Sequence, residues 1–287
     1  MVSRSTLRLL RIPFSFFLSP IYFFGLSQVP DIDTARAILV FFIIHFLVYP
    51  ASNAYNSYMD RDRGSIGGLE HPPAPENDLF VTTVVLDIAG IFLSLLVSPL
   101  FALVMLFYIG ASKAYSYRRI RLKKYPVIGY LVVIIFQGAV TFWLVYHGSS
   151  ASGAVDAPPL AMTACALLIG GFYPLTQIYQ HRQDLEDGVR SLSYLLGYKG
   201  TFEFCGAVYA AAWIFMAQFF IRQSEVDKLI FVSICFVPVI VYFISWFLQV
   251  RKNAAAADFR NTMRMNWLAA SCTNVAFVTL LIWKLFE

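Results

Sequence analysis

The stretch Ala37-Ile-Leu-Val-Phe-Phe-Ile-Ile-His45-Phe-Leu-Val-Tyr-Pro-Ala-Ser-Asn53-Ala-Tyr-Asn56-Ser-Tyr-Met-Asp60-Arg-Asp62 decides the fold of this chain. From Ala37 to Tyr55 it holds no Asp, Glu, Lys or Arg, and it approaches the ~20 residues with which a helix crosses ~30 Å of hydrocarbon. The span then runs out into a short acidic word, Asn56 to Asp62, and into a loop punctuated by Gly64, Gly67, Gly68, Pro72, Pro73 and Pro75. Glycine and proline at that density make a shaped, non-helical excursion able to cover a site. It ends where Asn77 or Asp78 can cap the next helix.

Eight further segments repeat the apolar pattern: Ile12 to Leu26, Phe80 to Val97, Leu100 to Ala114, Pro126 to Tyr146, Leu160 to Ile178, Phe202 to Ile221, Leu229 to Val250 and Trp267 to Phe286. With 59% hydrophobic and 14% charged residues, 287 residues are too apolar for a water-soluble domain. The expected fold is all-α, a polytopic membrane bundle of about nine transmembrane helices in one domain, 1–287, with cap loops at about 56–78 and 180–201. With a cytoplasmic amino terminus, all of the 22 Lys and Arg fall inside except Arg36, Arg222, Lys228 and Lys284. That asymmetry sets the orientation, and the net charge of +5 follows from it. No nucleic-acid module is present in the sequence. Arg4 to Gly25 has the flavour of a signal peptide but no small-x-small cleavage site before Gln28, and it reads as a retained first helix. Cys165, Cys205, Cys235 and Cys272 sit in or beside apolar spans without ligand-like spacing, which predicts neither a disulfide framework nor a zinc site.

The acidic word recurs four spans later as Gln180-His-Arg-Gln-Asp184-Leu-Glu186-Asp187, followed by Gly188. An even number of crossings puts both words on the same, cytoplasmic side. The recurrence points to two related four-helix halves plus one helix, a parallel repeat with its axis along the membrane normal. At ~100° per residue Asn56 and Asp60 share a helical face, as do Gln180, Asp184 and Asp187, whereas Asp62 and Glu186 are rotated away unless the helix has already ended. A single carboxylate at an interfacial helix end need only be solvated; repetition argues for more. Hard divalent cations want oxygen ligands, and Mg²⁺ in particular is held by one or two carboxylates together with substrate phosphates and water. Each word is thus a half-site for Mg²⁺, and through it for a diphosphate.

On these motifs the chain resembles the UbiA superfamily of intramembrane prenyltransferases, whose first motif is Asn-x₃-Asp-x₃-Asp after helix two and whose second is Asp-x₃-Asp after helix six. Asn56 and Asp60 match the first two positions of one motif, Asp184 the last position of the other, and Gly188-Val-Arg190-Ser191 the segment that follows. The resemblance covers nearly the whole chain. It implies Mg²⁺-dependent loss of diphosphate from a prenyl diphosphate and attack by a hydrophobic, membrane-dissolved and often aromatic acceptor. It makes Asp60 and Asp184 the catalytic carboxylates, with Asn56, Gln180, Asp62 and Asp187 as further metal-site residues. Arg11 and the Tyr115 to Lys124 segment, with Arg118, Arg119 and Lys123, resemble family segments that supply cations to the diphosphate, and Arg182 is counted with them. Two departures stand out: Gly64 occupies the third acidic position of the first motif, where it is expected to serve a backbone turn, and Gln180 the first of the second.

His45, Asn53 and Gln177 are candidates for the substrate chamber, His45 because it lies eleven residues before Asn56 on nearly the same helical face. For Asn53, Gln177, Gln137 and Thr176 the alternative is interhelical hydrogen bonding, and Asp87 stands out within a span by cost alone. The expected location is the bacterial cytoplasmic membrane, with the site facing the cytoplasm. Two other readings use the same bundle: a non-catalytic lipid-binding or transport protein, and a prenyl diphosphate hydrolase or lyase that releases diphosphate without an acceptor.

Overall fold

A computed structural model describes residues 2–286, and every regular element among them is helical apart from isolated bridges. Helix α1 spans Arg4–Leu9, and a 3₁₀ segment at Ile12–Phe17 leads into α2, Ser19–Ser27. The long helices follow: α3 Thr34–Asp60, α4 Asn77–Val97, α5 Pro99–Ser116, α6 Pro126–Ser149 and α7 Pro159–Gln177. The short α8, His181–Glu186, precedes α9 Leu192–Arg222, α10 Val226–Lys252 and α11 Phe259–Phe286. Among the described residues eight helices are long and apolar enough to cross a membrane, nine if the bent pair at the amino terminus is counted as one span. The protein is an integral membrane helix bundle.

The first span differs from the expected continuous helix. Pro13 and Pro20 lack the N–H that an α-helical ladder needs, and the pair Arg4–Phe17 and Ser19–Ser27 is bent by 43°. Arg11 takes a left-handed conformation (φ 48°) between α1 and the 3₁₀ segment. Asn77 begins α4, but Asp78 does not cap it; its carboxylate accepts from the backbone N of Ser3 at 2.7 Å. That contact fixes the amino terminus beside the loop after α3.

Successive helices pack as neighbours, α7 against α9, α9 against α10 and α10 against α11, and α11 closes the bundle against α2. Phe24 stacks on Phe277 across that closure. Lipid supplies no hydrophobic drive between helices, so such shape-matched contacts and interhelical hydrogen bonds hold the bundle together. The outer faces, such as Phe92 and Leu96 of α4 and Ile234 and Val241 of α10, are exposed and apolar, as a lipid contact requires. Asp87 is ion-paired with Lys113 of α5 at 2.6 Å, and the Lys113 ammonium lies 4.3 Å from the centre of the Tyr55 ring. The four cysteines are free.

The polar ends sort into two layers. The Arg61 to Glu76 loop, the Tyr117 to Tyr125 turn and α8 meet at one end of the bundle. The Gly148 to Pro158 loop lies at the other, where Asp31 accepts from Ser150 and Ser152, and Arg36 donates to the Val97 carbonyl.

Candidate active site

The final turns of α3 carry Asn53, Asn56 and Asp60 along one face, and α8 carries Asp184, with Gln180 at its N-cap and Asp187 at its C-cap. At the end of α3, Arg61 is left-handed (φ 54°) and its N–H returns to the Ser57 carbonyl at 3.0 Å. This left-handed cap ends the helix at Asp60 and turns Asp62 back toward the bundle. At the end of α8, Gly188 holds φ 70°, which glycine adopts without a Cβ penalty. Its N–H bonds the Leu185 carbonyl and that of Val189 the Asp184 carbonyl, so Val189 is tucked inward. His181 anchors the start of α8, with Nε2 2.8 Å from Ser193 Oγ and its ring stacked on Tyr198.

Between these elements lies a cavity of about 210 Å³. Its mouth is lined by Arg11, Asn56, Asp60, Asp62, Lys123, Gln180 and Asp184, and its wall by Phe14, Tyr108, Tyr115, Phe136 and Tyr173. Asn53, Gln137, Thr176 and Gln177 also line it, so all four residues with open readings border one space. Asn56 donates to Asp60 Oδ2 at 2.8 Å and to Ser116 Oγ at 3.1 Å, which commits its amide nitrogen and leaves its carbonyl oxygen as the remaining polar atom. Tyr115 and Tyr173 join their hydroxyls across the two halves of the bundle.

Cations neutralise part of this acidic mouth. The buried Asp60 pairs with Lys123, and with Arg121 at 3.4 Å. Arg121 also pairs with Asp187, tying the two acidic words together. Arg118 donates to the Met59 carbonyl and stands 3.6 Å from Asp187. Arg11 donates to the carbonyls of Gly67 and Asn53 at 3.1 and 2.9 Å, so its guanidinium closes the mouth from the amino-terminal side. Burial pushes the Asp184 carboxyl up to about 7; Lys123 opposes the shift and the neighbouring Asp62, Asp60 and Asp187 add to it. Burial and Asp60 push Asp62 up to about 6. These are carboxyls that burial leaves short of positive charge.

Several expected site residues lie elsewhere. His45 is buried among Tyr22, Phe41 and Tyr49, with Nδ1 3.2 Å from the Phe41 carbonyl, and does not line the cavity. The reason is the π-helical turn Ile43–Val48, which precedes Pro50. Its extra residue breaks the 3.6-residue register by which His45 and Asn56 were placed on one face. Arg119 is exposed, because the left-handed Arg121 (φ 48°) closes a turn on Tyr117 that throws residue 119 outward and residue 121 inward. Arg182 is exposed on the far face of α8, paired with Glu186 at 3.1 Å. Asp187 is turned to Arg121 and not into the cavity. Gly64 is not the left-handed glycine of its loop; Gly68 is (φ 85°). What residue 64 provides is close approach, since a Cβ there would meet Gln183 Oε1 at 2.5 Å. Arg121 and Gln183 occupy no motif position, although Arg121 lies in the basic Tyr115 to Lys124 segment and Gln183 in the second acidic word.

The sequence profile of the UbiA prenyltransferase family matches residues 14–269. The chain belongs to that family. A search of curated protein sequences finds no match. The fold is that of solved family structures. An apo UbiA homologue from Aeropyrum pernix K1 superposes with a TM-score of 0.69 at 19% identity, covering 94% of this chain and 98% of that one. A UbiA homologue from Archaeoglobus fulgidus bound to DMAPP and Mg²⁺ gives 0.66 at 18% identity, covering 96% and 99%. A structure of digeranylgeranylglyceryl phosphate synthase gives 0.63 at 19% identity, covering 99% of each chain.

Within the UbiA frame, the donor set of this cavity is oxygen-only: Asp60, Asp62 and Asp184 with the amide carbonyls of Asn56 and Gln180. Among the described residues no three His, Cys, Asp or Glu stand close enough to form a ready metal cage. That combination fits a hard cation that takes one or two protein carboxylates and completes its shell elsewhere, and not zinc.

Proposed function

We propose that this UbiA-family protein transfers a prenyl group from a prenyl diphosphate to a membrane-dissolved, aromatic acceptor with Mg²⁺ as cofactor. The observation that carries this reading is the single cavity in which Asp60 and Asp62 from one half meet Asp184 from the other beside Lys123 and Arg11, over an aromatic wall. The Archaeoglobus homologue bound to DMAPP and Mg²⁺ supports it by analogy of fold. Mg²⁺, held by one or two of the carboxylates among Asp60, Asp62 and Asp184 and completed by diphosphate oxygens and water, would supply Lewis-acid stabilisation of the departing diphosphate.

The protein's own residues account for the rest of the chemistry. Lys123 pairs with Asp60 and lines the mouth; exchange of that carboxylate for a diphosphate oxygen keeps the ammonium neutralised throughout. Arg11, already hydrogen-bonded to two carbonyls, presents a fixed positive charge from the amino-terminal side. Phe14, Tyr108, Tyr115, Phe136 and Tyr173 offer ring faces to an allylic cation and exclude water that would otherwise quench it. Asn53, Gln137, Thr176 and Gln177 are the uncharged groups that orient the acceptor. We place the site at the cytoplasmic face of a bacterial inner membrane, because the Lys and Arg asymmetry favours the cavity end of the bundle as the inner end.

The test incubates the purified protein with dimethylallyl, geranyl and longer prenyl diphosphates, MgCl₂ and a membrane lipid extract, and follows both diphosphate release and prenylated product by mass spectrometry. Release that requires the extract and yields a product heavier by the prenyl mass supports transfer. Equal release without extract would make the protein a hydrolase or lyase, and no release with any donor would leave a binding or transport role.

A further inference from the structure

Gln183 lies outside the cavity, yet its amide nitrogen donates to the carboxylate of Asp62, which lies within it. One turn earlier, Gln180 donates from Nε2 to the Ser65 carbonyl at 3.0 Å. Two neighbouring amides, Gln180 at the N-cap of α8 and Gln183 within it, thereby hold the strap that follows Arg61. The strap's far end is fixed independently: Ile66 and Leu69 exchange backbone hydrogen bonds, Ile66 is buried with Leu9, Leu10 and Leu79, and Arg11 donates to the Gly67 carbonyl. The Asp62 to Ser65 end is held by α8, with Ser65 Oγ also donating to the Glu70 carbonyl at 3.0 Å. Both departures from the family's acidic pattern fall at this contact. Gln180 supplies a donor that an aspartate lacks, and Gly64 lacks the Cβ that would stand 2.5 Å from Gln183 Oε1.

We infer that Gln183 and Gln180 form a neutral latch that holds the strap across the cavity mouth, and that Gln183 is a positioning residue that aims Asp62 as the carboxylate replacing those absent at positions 64 and 180. The metal-binding half of this inference rests on the proposed function; the latch itself does not. An amide is suited to the task because it orients a carboxylate without neutralising it, whereas Lys or Arg at position 183 would compete with a cation for Asp62.

Two measurements on the full-length protein in detergent test it. The first is the rate at which trypsin cuts the exposed strap bond after Arg63, read by mass spectrometry of that one cleavage. Gln183→Met, which keeps length and loses the donor, should raise this rate about tenfold, the scale of one charge-assisted hydrogen bond. Gln180→Glu, isosteric but without a donor, should raise it too. Asp62→Asn should raise it by clearly less, because the carboxamide oxygen still accepts from Gln183 but without the carboxylate charge. The second is calorimetric titration with MgCl₂ in the presence of inorganic pyrophosphate. Gln183→Met and Asp62→Asn should each weaken Mg²⁺ binding, and the double variant should bind no more weakly than Asp62→Asn alone. Unchanged cleavage in Gln183→Met would overturn the latch, and full additivity with Asp62→Asn would overturn the positioning role. A wild-type protein that binds no Mg²⁺ would defeat the proposed function and the positioning role together, while the cleavage rates would still decide the latch.

Discussion

Lowering the pH should strip Mg²⁺ from this site well above the ordinary carboxylate range. Asp184 is held up to about 7 and Asp62 up to about 6, chiefly by burial. Both shifts are upward, so both groups carry protons at pH values where an exposed aspartate is ionised, and a cation binding to the ionised forms must displace those protons. At pH 6 a group titrating at about 7 is ~90% protonated and one titrating at about 6 is half protonated, so affinity for Mg²⁺ falls by a factor of about 20 between pH 8 and pH 6. At pH 6.5 the same values give release of about one proton per Mg²⁺ bound, shared by the pair. The stability sign runs in parallel. Folded-state values above the unfolded value of ~3.9 mean that the metal-free protein loses stability as pH rises from about 4 through about 7, and that Mg²⁺ restores it. Titration calorimetry with MgCl₂ in buffers of different ionisation enthalpy counts the protons directly. An affinity that is the same at pH 6 and pH 8, or a proton release that survives intact in Asp184→Asn, would refute the reasoning.

Asp60→Ala and Asp184→Ala should each lower prenyl transfer by at least about two to three orders of magnitude with the helical content unchanged by circular dichroism, although Asp60→Ala should also lower the thermal midpoint because it leaves Lys123 without its partner. Arg121→Ala should destabilise the protein by about 1–3 kcal/mol, because it removes the cation that joins Asp60 to Asp187 while Asp60 keeps Lys123 and Asp187 keeps Arg118. Arg119→Ala should stay within about 0.5 kcal/mol, and thermal unfolding in detergent distinguishes the two. Single cysteines introduced at the exposed Glu70 and Ala151 should label from opposite sides of sealed vesicles, with residue 70 accessible from the cytoplasmic side; labelling of both from one side would overturn the topology.

The sequence by itself determined what depends on local periodicity and on the cost of charge in lipid. Apolar run lengths were enough for a membrane helix bundle, and the 3.6-residue repeat was enough to put Asn56 with Asp60 on one face. Crossing parity brought the two acidic words to the same end of the bundle, where one cavity now joins Asp60 to Asp184. Tertiary structure decided what hangs on single backbone conformations. One π-turn before Pro50 moved His45 away from the chamber. Left-handed conformations at Arg61 and Arg121, neither of them glycine, turned Asp62 inward and exchanged Arg121 for Arg119 as the buried cation of the basic run. Such residues adopt positive φ only where surrounding contacts outweigh the intrinsic cost. Those contacts come from segments distant in sequence: Asp187 for Arg121, and Gln183 for Asp62 just beyond Arg61. A pattern read along the chain registers which residues share a helical face while the helix lasts; where it ends, and which way the next side chain then points, is set by the partners waiting across the fold.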